Sequence, residues 1–233
     1  MDINWQPTQT AGRMPGGGIA RRPLHVLILA DCSGSMKGEK IQALNFAIAQ
    51  MMQHLAAWEE EQERAQILVR AVAFATEPRW HIGEPLPVAH LRWAPLAVVP
   101  GGRTNMGPAF RMAASVLGKD QMPRRAFNPA LLLITDGMPT DDPAEFNAGL
   151  DAVMSHTAGR DALRMAVAIG RDARSEALTR FIADPKVPVL VAGNVDQIAD
   201  QLRLVTLAVT GVRSWADDPD ERGMPTDGLD IPV

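Results

Sequence analysis

Asp31, Ser33 and Ser35 set a carboxylate and two hydroxyls on alternate positions, with Gly34 between the serines. Three hard oxygen donors on so short a stretch suit a hard cation such as Mg²⁺, which takes oxygen ligands and keeps several of its waters. Two more oxygen donors follow in comparable settings. Thr104 lies in the Gly-rich stretch Pro100 to Met106, and Asp136 in the tripeptide Thr135-Asp136-Gly137. Two aspartates balance a divalent charge and the three hydroxyls add none. An ion held by such a set stays electrophilic and accepts one further carboxylate.

The elements that must bring these residues together are written in the hydrophobic period. Val26 to Ala30 is an unbroken apolar run ending in Asp31, and Ala130 to Thr135 is another ending in Asp136. Such runs, bounded by small polar residues, read as strands buried on both faces. The pattern predicts strands at Leu24 to Ala30, Gln66 to Thr76, Ala130 to Thr135, Leu163 to Ile169 and Pro188 to Ala192. A short antiparallel edge strand is expected at Arg79 to Ile82, punctuated by Pro78 and Gly83-Glu84-Pro85. Helical spacing predicts a helix from Glu39 to about Trp58, carrying Ile41, Leu44, Ile48, Met52 and Leu55 inward. Further helices are expected at Gly107 to Leu117, Ser175 to Ile182 and Val195 to Val209. Another opens at Asp142 as N-cap, with Pro143 in the first turn and Glu145 closing a capping box. Leu86 to Val99, broken by prolines, reads as irregular. Strands alternating with helices imply an α/β fold, with a mostly parallel sheet, one antiparallel edge strand and helices on both faces. Open sheets of this kind place ligands at the carboxyl ends of strands, where the strand order reverses. If the strands ending at Asp31 and Asp136 are neighbours, all five oxygen donors converge there.

Bulk properties narrow the classes of function. The 233 residues suffice for one large domain. We expect it to span residues 23–211, between a flexible arm at 1–22 and an acidic, disordered or partner-ordered tail at 212–233. Arg21 and Arg22 read as part of a solvated arm, and Glu59, Glu60, Glu61 and Glu63 as a solvated acidic turn. A net charge of −4 and pI near 5.7 give no electrostatic footprint for nucleic acid or an anionic membrane. Aromatic content of 5% without tyrosine gives no base-stacking surface. No apolar run reaches the roughly 18 residues of a membrane span, and the amino terminus lacks the apolar core of a secretory signal. One cysteine, Cys32, excludes an internal disulfide. These features make the cytoplasm the expected compartment.

The set Asp31, Ser33, Ser35, Thr104 and Asp136, in this order and at the ends of these elements, resembles the metal-ion-dependent adhesion site of von Willebrand factor A domains. The resemblance runs from about Pro23 to Val209 and is finest to the bacterial TerY-like branch, named from tellurite-resistance operons. It is carried by LADCSGSMKGEKIQALN, GGRTNMGPAF, LLITDGMPTDD and AVAIG. It implies a Rossmann-like sheet and a site for Mg²⁺ or Mn²⁺, with Ca²⁺ ranked below them. The five named residues would be the ligands, and an Asp or Glu carboxylate of a partner protein would complete the coordination. For this branch, partners include a kinase-like protein and a PP2C-type phosphatase, in stress or conflict systems. The resemblance implies a binding module and not an enzyme.

Two other readings compete. Ser33, Ser35 and Thr104 all precede helices and would serve as caps. Alternatively, a strand-terminal Asp31 is the nucleophile of a Mg²⁺-dependent phosphatase or hydrolase. Haloacid-dehalogenase-type enzymes need a second aspartate two residues on, and Ser33 stands there. The five histidines lack metal-ligand spacing, Cys32 has no identifiable histidine partner, and no P-loop or nucleophile elbow is present. Asp141 is expected to border the binding face. The pentapeptide Gly-Met-Pro-Thr-Asp occurs at 137–141 and again at 223–227; the repeat is read as chance, the alternative being that the acidic tail offers a carboxylate to the metal.

Overall fold

The computed structural model describes residues 21–62, 64–170 and 176–215. Six strands form one sheet: β1 (Arg22–Asp31), β2 (Ala65–Phe74), β3 (Pro78–Pro87), β4 (Ala130–Thr135), β5 (Leu163–Ile169) and β6 (Leu190–Ala192). Their spatial order is β3-β2-β1-β4-β5-β6. All neighbours run parallel except the edge strand β3, which pairs antiparallel with β2. This is the mixed α/β sheet expected from the sequence. The edge strand is longer than its predicted span and absorbs the start of the Pro-broken stretch, ending in a 3₁₀ turn at Val88–His90.

Among the described residues six helices cover both faces: α1 (Glu39–Glu61), α2 (Met106–Ala114), α3 (Pro143–Ser155), α4 (Thr157–Arg160), α5 (Glu176–Ile182) and α6 (Gln197–Trp215). The alternation of the strands divides the core in two. Val26, Ile28 and Ala30 pack with Leu44, Ile48 and Leu55 of α1 and Leu202 and Val205 of α6. Leu27 and Leu29 face the other way, toward Phe110 of α2, Phe146 of α3 and Phe181 of α5. The ring of Phe110 stacks on Phe181, with centroids 5.2 Å apart, and meets Phe146 edge-on. Because β1 and β4 lie inside the sheet with helices on both sides, every second residue has a core to enter. That is why their sequences read as unbroken apolar runs rather than alternations.

Helices α2 and α3 touch backbone to backbone. A Cβ built on Gly149 would lie 2.2 Å from the Gly107 carbonyl oxygen, and one on Gly107 would lie 2.3 Å from that of Glu145. Only glycine fits at either place, and the contact fixes α2 and the loop before it against α3. From β5 the buried Arg164 guanidinium donates to the carbonyls of Phe181 and Gly159, at 2.8 and 2.5 Å, closing the ends of α5 and α4.

Two expectations are overturned. Glu59 is not on a solvated turn: it is 4% exposed, its carboxylate accepts from the Ile67 amide and it pairs with Arg21 at 3.6 Å. The carboxylate thus satisfies the Ile67 amide near the start of β2, while the Gln62 side chain accepts from the Ala65 amide. Arg21 and Arg22 are not a solvated arm either. Arg22 lies in β1, donates to the Arg125 carbonyl at 2.9 Å and sits 3.8 Å over the Phe127 ring. Residues 1–20 and 216–233, with the second Gly-Met-Pro-Thr-Asp, fall outside the described residues, whereas α6 continues past residue 211 into the predicted tail.

At the opposite end of β1 from Asp31, His25 is buried among the apolar residues. Its Nδ1 faces Arg70 Nη1 at 3.4 Å, and its Nε2 has no hydrogen-bond partner among the described residues. Burial, reinforced by the Arg70 charge, lowers its pKa from 6.5 to about 4. The folded chain therefore keeps His25 neutral where the unfolded chain protonates it. The contribution to stability is complete above about pH 6.5 and is lost as pH falls toward 4, with a ceiling of about 3 kcal/mol. Urea unfolding of the wild type and His25→Gln at pH 4.5 and 7.5 is expected to show a smaller acid loss in the variant; equal losses would contradict it.

Candidate functional site

Strand order reverses between β1 and β4, whose carboxyl ends lie side by side with Ala30 opposite Ile134. Asp31 and Thr135 follow directly. The Thr135 hydroxyl donates to Asp31 Oδ2 at 2.6 Å, and the Ser33 amide donates to Asp31 Oδ1 at 2.7 Å. Asp31 is wholly buried, its carboxylate aimed by these two donors. Beyond it the chain turns through a 3₁₀ turn, Gly34–Met36, before α1 begins. In that turn Ser33 Oγ and Ser35 Oγ lie 2.9 Å apart, and the Ser35 hydroxyl donates to Asp136 Oδ1 at 2.7 Å. One continuous chain of polar contacts thus runs Thr135–Asp31–Ser33–Ser35–Asp136.

The loop carrying Thr104 is drawn in by the backbone. Gly34 N donates to the Gly102 carbonyl at 3.0 Å, Val99 N to the Cys32 carbonyl at 2.8 Å and Gly102 N to the Val99 carbonyl at 2.9 Å. Gly101, at φ +68°, makes the turn that this requires. Thr104 is buried and bridges to the loop after β4: its amide donates to Thr140 Oγ1 and its carbonyl accepts from Thr140 N, both at 2.9 Å. Its hydroxyl stands against Gly137, where an added Cβ would come within 3.7 Å of Thr104 Oγ1. All five residues singled out from sequence are therefore at one edge of the sheet. Asp31, Ser33, Ser35 and Asp136 are joined by direct contacts, and Thr104 adjoins Asp136 through Gly137.

The capping alternative does not hold. Ser33 caps the 3₁₀ turn without a side-chain bond, and α1 and α2 are preceded by Gly38 and Asn105, neither of which makes one. Asp142 does cap α3, accepting from Ala144 N at 2.8 Å. Glu145 does not complete a capping box, because its carboxylate pairs with Arg111 of α2 at 2.6 Å. Asp141, expected to border the binding face, accepts from Gly107 N at 2.6 Å at the start of α2.

Burial pushes the Asp31 carboxyl above its ordinary range; hydrogen bonds from Thr135 and Ser33 oppose this, and the Asp136 carboxylate adds to it. Two carboxylates close enough to repel, linked by two hydroxyls and offering only oxygen, form a donor set that fits a small divalent cation. Among the described residues no three His, Cys, Asp or Glu side chains gather in a metal-binding group. Any ion here would be held by two acids and by hydroxyls. Cys32, between the ligand candidates in sequence, is buried and its thiol is pushed up to about 11, which leaves it unreactive.

Residues 26–139 match the family model of the von Willebrand factor type A domain. The matched segment holds Asp31, Ser33, Ser35, Thr104 and Asp136. Its fold is similar to that of a von Willebrand factor type A protein from Catenulispora acidiphila, with TM-score 0.63 and 20% identity over 82% of this chain and 43% of that one. It is also similar to proximal thread matrix protein 1 from the mussel byssus, described with a zinc-occupied MIDAS motif, with TM-score 0.60 and 15% identity over 82% and 49% of the two chains. BatB from Bacteroides thetaiotaomicron matches at TM-score 0.55 and 13% identity, over 82% of this chain and 99% of its own. The chain thus spans less than half the length of the first two. No curated protein matches at a significant level.

The sequence reading missed two members of the site. Lys40 Nζ reaches Asp136 Oδ2 at 2.5 Å, and Thr135 orients Asp31. The signal for Lys40 was a cation in the first turn of α1, where the helix dipole disfavours it. Thr135→Val leaves a buried carboxylate oxygen of Asp31 without its donor. Its expected effect is a loss of about 1–3 kcal/mol in urea unfolding of the metal-free protein; an unchanged midpoint would contradict the assigned contact.

Proposed function

We propose that this chain carries a von Willebrand factor type A domain, acting as a divalent-metal-dependent protein-binding module and not an enzyme. The observation that carries the reading is the Asp31–Ser33–Ser35–Asp136 chain of contacts at the carboxyl ends of two adjacent parallel strands. In this reading Asp31, Ser33, Ser35, Thr104 and Asp136 hold Mg²⁺ or Mn²⁺. When bound, the ion would supply a Lewis-acidic position open to one more oxygen. Asp31, locked by Thr135 and the Ser33 amide, would hold its carboxylate in one orientation, so little ordering is left for binding. Ser33, Ser35 and Thr104 would add oxygens without further negative charge, which leaves the ion electrophilic and receptive to an Asp or Glu of a partner. The zinc-occupied motif described for the mussel protein supports the metal reading at this fold position.

A nucleophilic role for Asp31 fits poorly. Both of its oxygens are already engaged, it is fully buried, and a serine stands where the second acid of such a phosphatase is required. Among the described residues no helix is long and apolar enough to cross a membrane. We place the module in a bacterial stress or conflict system of the tellurite-resistance type, with a kinase-like protein and a PP2C-type phosphatase as partners and the cytoplasm as its compartment.

Calorimetric titration with Mn²⁺ is expected to give one site in the wild type and no measurable binding in Asp31→Ala, with circular dichroism confirming the fold of the variant. Capture of native partners in Mg²⁺ is expected to disappear in EDTA. Capture that survives EDTA would remove the metal-bridged mechanism, and phosphoester turnover lost in Asp31→Ala would replace it with a hydrolase.

A further inference from the structure

We infer that Lys40 is a built-in cation that occupies the charge position of the metal in the metal-free protein and must swing away for a divalent ion to bind. The inference rests on the metal reading above.

Asp136 has no exposed side-chain surface, and both of its oxygens are taken: Oδ1 by the Ser35 hydroxyl and Oδ2 by Lys40 Nζ, at 2.7 and 2.5 Å. A buried carboxylate that also faces Asp31 needs a counter-charge. Lys40 supplies it. The two partners of this ion pair differ in freedom. Asp136 follows directly on β4, whereas the Lys40 side chain is 37% exposed and sits on a flexible stem one residue into α1. The lysine can return to water and the aspartate cannot. Helix stability does not explain the placement, because a cation in the first turn opposes the dipole and Gly38 at the N-cap makes no side-chain bond. The pair with Asp136 does explain it.

Divalent binding is then an exchange of one cation for another. The affinity is set by the difference between the two states of Asp136, and Lys40 lowers it. A module built this way stays folded when metal is scarce and engages partners only above a threshold of free metal.

The test is titration of wild type and Lys40→Met with Mn²⁺, paired with amine-acylation footprinting of Lys40 in the wild type. Removing the competitor is expected to tighten Mn²⁺ binding about tenfold, equivalent to about 1.4 kcal/mol. It is also expected to lower the melting temperature of the metal-free variant. Lys40 of the wild type should be protected from acylation in EDTA and become reactive when Mn²⁺ is added. Equal or weaker Mn²⁺ binding in Lys40→Met, with clear binding in the wild type, would overturn the exchange and leave the metal reading intact. Binding in neither protein would overturn both. Binding in the variant alone would support the exchange in its strongest form. Should Lys40→Met fail to fold, the wild-type footprint decides: a Lys40 signal unchanged by saturating Mn²⁺ would overturn the inference.

Discussion

Two aspartates at the ends of adjacent parallel strands repel one another in a site that water scarcely reaches, and the surrounding architecture neutralises that repulsion. Asp31 is fixed by a hydroxyl from the next strand and an amide from its own turn. Asp136 is fixed by a hydroxyl from that same turn and an ammonium from α1. The donors that cross between the two segments, Thr135 to Asp31 and Ser35 and Lys40 to Asp136, require β1 and β4 to be neighbours in register, at the point where the strand order reverses. The two-sided core that holds β1 and β4 in the middle of the sheet is thus a precondition of the site. Phe110, Phe146 and Phe181 on one face, and the α1 and α6 leucines on the other, act on the site through the strands they clamp.

The loops that deliver Thr104 depend on a second constraint. They have little regular structure, yet their backbones are stitched to β1 and to each other by amide–carbonyl bonds from Gly34, Val99, Gly102 and Thr140. Where those loops meet α2 and α3, glycine-on-glycine contact sets the spacing. Small residues here are geometric requirements of a site assembled from three separated segments.

Much of this was legible in the sequence, for identifiable reasons. Continuous apolar runs ending in Asp31 and Asp136 could only be inner strands, and donors at their ends could only share an edge if the strands were adjacent. The exact agreement at Ala130–Thr135 and Leu163–Ile169 reflects how strongly burial on two faces restricts composition. What periodicity could not reveal was pairing between charged residues far apart in the chain. Glu59 looked like part of a solvated acidic run until the sheet brought the Ile67 amide and Arg21 to it. Glu145 looked like half of a capping box until α2 offered Arg111. Lys40 drew no reading from sequence, because its one local signal, a cation in the first turn of α1, does not name a partner at the end of β4. In each case a local pattern gave the position of the charge and tertiary structure chose its partner.

The central claim is that this oxygen set is a divalent site whose resting counter-ion is the protein's own lysine. A crystal structure of the wild type grown with Mn²⁺, with anomalous data at the manganese edge, tests it most directly. The account predicts one anomalous peak among Ser33 Oγ, Ser35 Oγ and the Asp31 and Asp136 carboxylates, with Lys40 turned away from Asp136. A map without manganese in this cluster, and with Lys40 still paired to Asp136 at saturating Mn²⁺, would contradict it.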